Sequence, residues 1–393
     1  MPSPVPLIPA PSSISALPLF ADDLAFLQSH GDVILLESPS GGRVALSARY
    51  QGRIMTSAVG SDGLSLGWVH RRFIEAGKTG TAFDNYGGED RFWLGPEGGQ
   101  YALYFAPSKP FEFPNWQTPS AFQQGEWATA ERSPTRVVFT RSMTVQNYAK
   151  TEFKLDVRRE VSLLGPKEVA ERLGVEPPAA VRSIAFQSDN RITNTGAKDW
   201  AEKSGLMSVW ILAMFPPADD TFVIVPFDRN GSGPIVNDAY FGKVPPDRLR
   251  VDEQAGVIVF KCDGKYRSKI GLRPSRALPV LASYSAQARL LTIVQYDKPK
   301  DASRYVNSMW QLQKEPYAGD VVNSYNDGPT EPGKPALGGF FEMESSSPAA
   351  MLKPKQTLTH VHRTFHFVGE PALLDAIAKK VLGVEVSKLT LAP

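Results

Sequence analysis

A large antiparallel β-sandwich with a few short helices is the fold class that this 393-residue chain predicts. Three observations carry the prediction. A dozen or more short segments alternate apolar and polar residues or run apolar for a strand's length. They are separated by turn residues drawn from 32 Gly and 33 Pro, a supply that favours many turns and few long helices. Only three segments combine a helical period with start and stop signals.

In order, residues 1–20 read as an extended, Pro/Ser-rich arm, and 21–393 as a single large β domain. ADDLAFLQSH (21–30) is a short helix, with Asp22 and Asp23 favouring its N-terminal dipole and Gly31 as a stop. DVILLES and RVALSARY flank the Gly41–Gly42 turn as a hairpin, and QGRIMTSAV and LSLGWVHRRFI continue as strands. RVVFTRSMTVQ and FKLDVRREVSLL alternate. PKEVAERLG (166–174) is a second short helix opened by Pro166. RSIAFQSDNRITNTG is a strand, and SVWILAMF and TFVIVPF are core strands. VIVFKCDGKYRSKIGL reads as a hairpin turning at Asp263–Gly264. LASYSAQARLLTIVQYD follows. PALLDAIAKKVLGV predicts a third helix over 371–382, with Leu373, Leu374, Ile377 and Val381 as a core-facing stripe.

Composition excludes several classes. With 43 basic and 41 acidic residues, nothing points to nucleic acid or an anionic membrane. No run approaches the roughly 18 apolar residues of a membrane span. Cys262 is the single cysteine, so it forms no internal disulfide and no thiolate cluster, and its FKCDGK context offers no base. The N-terminus lacks the basic and apolar regions of an intact signal peptide. A mature N-terminus left after processing is the alternative, which favours a periplasmic or secreted location over a cytoplasmic one.

The strongest chemical signal is GGFFEMESSSPAAMLKPKQTLTHVHRTFHFV (338–368), two strands joined by a Pro-containing link. Alternation puts Glu342, Glu344 and Ser346 on one strand face, and His360, His362, Thr364 and His366 on one face of the other. Three of the chain's five histidines are here. If the strands pair, carboxylates and imidazoles meet as an acid–base set. The same four groups, Glu342, Glu344, His360 and His362, are donors that a divalent metal such as zinc takes. His360 and His362 stand about 6–7 Å apart, and His366 about 13 Å beyond His362, at the rise of an extended strand. The plain alternative is a solvated sheet face, where such alternation is ordinary.

A second stretch, FDNYGGEDRFWLGPEGGQYALYF (83–105), places Arg91, Trp93 and Glu97 among glycines that allow close backbone approach. Arginine, carboxylate and indole together suit a sugar, whose hydroxyls take bidentate partners and whose C–H face stacks on a ring. A structural loop with Arg91 paired to a neighbouring acid fits equally. PFEFPNWQTP (110–119) reads as an aromatic rim. RYVNSMWQLQ and DVVNSYNDGP each set Asn-Ser beside an aromatic, and Asn323, Tyr325 and Asp327 of the latter join the sugar-binding candidates.

Motif order resembles the galactose mutarotase-like superfamily of aldose-epimerase type, in particular its uncharacterised bacterial members. YGGEDRFWLGPE (86–97), ITNTG (192–196) with Ser208-Val209-Trp210, Lys269-Ile270-Gly271 with Tyr284, and FFEMESSSPAAML (340–352) are similar to that group's segments. Short, degenerate motifs spread over about residues 40–368 carry the resemblance. It implies a β-supersandwich and a carbohydrate ligand on the concave sheet face. In the family a strand glutamate near the C-terminal end is the base, a role that falls to Glu344, with Glu342 as second carboxylate. The family's acid is a mid-chain histidine. This chain has none between His70 and His360, so His360 or His362 is expected to stand in. Three functions stay open: an epimerase, lyase or glycosidase, a glycan-binding protein without chemistry, and a metal-dependent sugar enzyme. Glu344→Gln separates the first two, since it leaves pure binding nearly intact. The oligomeric state is not readable from the chain.

Overall fold

The structure, a computed structural model, describes residues 17–60, 63–80, 82–331 and 333–391. The arm expected over 1–20 lies outside the described residues up to residue 16. Numbered in chain order, the helices are α1 (Phe20–Ser29), α2 (Arg71–Ala76), α3 (Pro166–Leu173) and α4 (Pro371–Leu382). Strands β1 (Ile34–Glu37), β2 (Arg43–Ser47) and β3 (Arg53–Ala58) form a small sheet, joined first by the expected hairpin.

Two larger sheets form the sandwich, and all their pairings are antiparallel. The five-stranded sheet runs β13 (Ser268–Leu272), β16 (Val322–Asn326), β17 (Phe341–Ser346), β9 (Ser208–Phe215) and β4 (Arg91–Gly95). The ten-stranded sheet begins with β11 (Leu249–Asp252), β12 (Val257–Lys261), β10 (Phe222–Pro226), β14 (Val280–Ser285) and β15 (Leu290–Tyr296). It continues through β18 (Thr357–Val368), β8 (Arg182–Asn194), β7 (Glu152–Leu163), β6 (Arg136–Gln146) and β5 (Ala128–Ser133).

Burial explains the sequence patterns. In β7, Phe153, Leu155, Val157, Arg159 and Val161 point inward, and the intervening residues are exposed or half-buried. Strands β9 and β17 are buried at every position, because the five-stranded sheet is covered on both faces, so they read as continuous runs. Phe215, Phe341, Met343 and Ile270 pack with Val294, Tyr296 and Phe260 in one core cluster. On the other side of the large sheet, α4 seats Leu374, Ile377, Ala378 and Leu382 against Phe365, Phe367 and Ile293. The buried stripe sits slightly off the expected one, with Leu373 and Val381 half-buried. Burying each large apolar side chain stabilises by about 1.5–3 kcal/mol.

Three expectations are corrected. The segment LSLGWVHRRFI is not a strand throughout. The His70 carbonyl accepts from Phe73 N and Ile74 N to start α2, and Gly77, at φ 61°, ends it. The Asp263–Gly264 segment is not a hairpin turn. It carries the chain from β12 in the ten-stranded sheet to β13 in the five-stranded one, and Gly264 N donates to Asn326 Oδ1 at 2.8 Å. The third correction bears on function: β17 and β18 do not pair. The former lies between β16 and β9, the latter between β15 and β8. Residues 347–356, with Pro348 and Pro354, carry the chain from sheet to sheet, tied down by Ala350 N on Met207 O and Lys355 N on Asn194 O.

Candidate functional site

Register builds the candidate site on the face of the five-stranded sheet turned away from the large sheet. Lys269 stands opposite Tyr325, and Tyr325 opposite Glu342. Asn323 faces Glu344, Glu344 faces Leu212, and Leu212 faces Arg91. Trp93 stands opposite Trp210. Because side chains alternate, these residues share one face. Loops roof it with Phe83, Phe113, Trp116, Phe241, Trp310, Leu337 and Phe340. The result is a narrow slot with a cavity volume of about 60 Å³, tighter than the usual small-molecule pocket, so a ligand enters only as the roofing side chains move apart.

A hydrogen-bonded Arg91–Glu342 pair and a Lys269–Glu344 ion pair floor the slot. Arg91 Nη2 donates to Glu342 Oε1 at 2.7 Å, and its guanidinium stacks 4.0 Å from the Trp93 ring centre. Lys269 Nζ and Trp210 Nε1 donate to Glu344 Oε2 at 2.9 and 2.8 Å. Glu97 and Arg267 complete the charged lining. Burial pushes the Glu342 carboxyl up, to about 8, with the Glu344 charge adding to the rise against the pull of Arg91. Burial also lowers Arg91, against the pull of Glu342. Burial raises Glu97 against the pull of Lys269. Lys269 itself is lowered by burial, but the carboxylates of Glu344 and Glu97 outweigh that and hold it above its ordinary value.

Of the candidates read from the sequence, Arg91, Trp93, Glu97, Tyr325 and Glu342 line the slot. Glu344 and Asn323 lie on the same face; Asn323 is committed, and Glu344 is committed through Oε2 while its Oε1 is buried without a hydrogen-bond partner. Glu344 is fully buried under Lys269 and Trp210, and Asn323 Nδ2 donates to Tyr240 Oη and Ile270 O. Asp327 is a brace: its carboxylate accepts from Tyr325 Oη at 3.0 Å and from Gly338 N and Gly339 N at 2.9 and 2.8 Å.

His360 and His362 belong elsewhere, which corrects both the expected acid and the expected metal site. They project between the sheets, where Ser345, on the opposite face of β17 from the two glutamates, meets both rings. Burial holds His360 at about 3 and His362 at about 4, so both are neutral. His366, fully buried, joins Thr292 and Glu89. Among the described residues, no three His, Cys, Asp or Glu side chains gather as a metal site. Cys262 is buried beside Ser324.

Sequence reading passed over Arg267, Lys269, Trp210 and the roofing indoles as site residues. Lys269 and Trp210 stood out only as motif members, and Trp116 only as part of a rim. Their signal was alternation with Gly271 and Leu212, which fixes a face only once the neighbouring strands are known.

A family model described as a family of unknown function, DUF6786, matches residues 18–392. No curated protein matches the chain. An aldose 1-epimerase-like protein from Escherichia coli K12 superposes with a TM-score of 0.50 at 11% identity, covering 85% of this chain and 98% of that one. A galactose mutarotase-like protein from Lactobacillus casei ATCC 334 gives 0.45 at 12% identity, covering 85% and 100%. At 11% identity the likeness to the first is one of fold alone. The chain belongs to the DUF6786 family and has a galactose mutarotase-like fold.

Proposed function

We propose that the protein takes a sugar into this slot and moves a proton at its anomeric centre, in the manner of an aldose epimerase. One observation carries the reading: two buried carboxyls with raised pKa values, Glu342 and Glu97, stand in a slot walled by indoles. Indole faces suit the apolar face of a pyranose, and unpartnered N–H groups suit its oxygens. Glu342, which keeps its proton up to about pH 8, is the acid that protonates the ring oxygen. Glu97 is the base that takes the proton of the anomeric hydroxyl. The C1–O5 bond then breaks and the aldehyde forms. Reclosure on the other face, with both protons returned, gives the second anomer. Glu344 holds Lys269 in place rather than reacting.

The alternative, binding without chemistry, is favoured by the closed pairing of Arg91 with Glu342. The test is a panel of aldoses followed by polarimetry and ligand-observed NMR, with Glu342→Gln as the control. Accelerated mutarotation that vanishes in E342Q while binding persists supports the enzyme. Binding without acceleration supports the alternative, and absence of binding across the panel sinks both.

A further inference from the structure

The slot offers more donors than its own acceptors use. Arg91 Nε and Nη1, Arg267 Nε, and the indole nitrogens of Trp93 and Trp116 are buried with no acceptor. All four residues line the slot. Arg91 and Trp93 are only 3% and 4% exposed. Orphaned buried donors in such number mark a place where an acceptor-rich partner sits. The cations tell the same story. Glu342 is taken by Arg91 and Glu344 by Lys269, but among the described residues Arg267 has no carboxylate partner. It is held instead by ring faces, 3.8 Å from the Phe241 centre, 5.4 Å from Phe113 and 5.9 Å from Trp310. Aromatic faces fix a guanidinium without occupying the in-plane fork that binds a carboxylate or phosphate bidentately.

We infer that the sugar of this site carries an anionic group, the carboxylate of a uronic acid or a phosphate ester, received by Arg267. The inference rests on the carbohydrate reading above and narrows it. The ring lies against the indoles, the free N–H groups of Arg91 take ring or hydroxyl oxygens, and the anion meets the fork of Arg267.

The test uses matched pairs on the full chain: galactose with galacturonate, glucose with glucuronate, and glucose with glucose 6-phosphate. Dissociation constants come from calorimetry or ligand-observed NMR at low and high salt. The expected result is that at least one anionic partner binds about tenfold or more tighter than its neutral twin, the scale of one charge-assisted hydrogen bond. The ratio shrinks with salt and falls towards one in R267Q. Comparing the uronate and phosphate arms tells the two sources apart. Equal binding within every pair overturns the inference and leaves the carbohydrate reading standing. A preference that survives R267Q overturns the role of Arg267. Binding of no sugar of either charge overturns the carbohydrate reading itself. If R267Q does not fold, R267K, which keeps the charge and loses the fork, and the salt dependence of the wild type decide the matter.

Discussion

Ser345 Oγ lies 2.8 Å from His360 Nε2 and 2.8 Å from His362 Nδ1, one hydroxyl joining two imidazoles across the space between the sheets. Its neighbour Glu344 points the other way, to Lys269 and Trp210. The parity of one strand therefore separates the histidines from the glutamates by the thickness of a sheet. A hydroxyl has one proton to donate and accepts with its lone pairs, so it can satisfy both rings at once.

Ser345→Ala leaves two buried ring nitrogens without a partner, at about 1–3 kcal/mol for each such group. The expected result is a loss of about 2–4 kcal/mol in urea unfolding with ligand binding in the slot retained, since Ser345 lies on the far face of β17. A variant as stable as the wild type would remove this bridge from the account of the core.

The two histidines set an acid limit on stability. Their folded values, about 3 and about 4, lie below the ordinary 6.5, so below pH 6.5 the unfolded chain binds protons that the folded chain refuses. Their stabilising contribution is present above pH 6.5 and is lost as pH falls from there towards 4. Each adds a slope of up to about 1.4 kcal/mol per pH unit. Raised carboxyls such as Glu342 act with the opposite sign, so the clean readout is a difference. The stability gap between the wild type and His362→Gln should narrow as pH falls from 6.5 to 4, followed by denaturant titration at each pH. A gap independent of pH means that His362 is not held neutral.

If Glu342 is the acid, the rate needs its protonated form. kcat/KM should then fall about tenfold per unit above about pH 8, and fall on the acid side as the Glu97 base takes up a proton. Glu342→Gln should abolish the alkaline limb together with the rate. A profile that instead rises through pH 8 would make Glu342 a base and exchange its role with Glu97.

Period-two alternation told which residues of each strand share a face, and so it was legible that Glu342 and Glu344 stand together, as do His360, His362 and His366. Alternation does not say which strands are neighbours, because pairing is decided by contacts distant in sequence. The ten residues between β17 and β18 read as a hairpin link, and with two prolines they span the sandwich instead. The same difficulty hid the change of sheet at Asp263. Helices with their signals written locally, such as Pro371 to Gly383 around α4, were legible within a residue. Arg267 was not legible, since its meaning lies in Phe113, Phe241 and Trp310, which other loops bring to it.

Lys269 and Glu344 are 6% and 0% exposed at their side chains, so removing one partner strands the other. Glu344→Gln or Lys269→Met alone should destabilise by about 3–5 kcal/mol, and the double variant by less than the sum of the two. Thermal or urea unfolding of the four proteins gives the coupling. Strict additivity would mean that the pair contributes nothing as a pair.

Asp327 is fully buried and ties the wall of the slot to its floor. Its two oxygens accept from Gly338 N, Gly339 N and Tyr325 Oη, and Leu337 and Phe340 of the same segment line the slot. The segment cannot simply close up elsewhere, because Gly338 packs so near Trp68 that an added Cβ would stand 2.4 Å from the indole. Asp327→Ala deletes every acceptor at once, and bonds to a charged group are worth about 1.5–3 kcal/mol each. The expected outcome is faster hydrogen exchange at the amides of Gly338 and Gly339, a loss of about 4 kcal/mol or more, and weaker ligand binding in the slot. Asp327→Asn keeps one acceptor oxygen and should lose less on all three measures. Unchanged protection at both glycines in Asp327→Ala would show that the wall is held by Phe340 and Trp68 packing, with the carboxylate as a bystander.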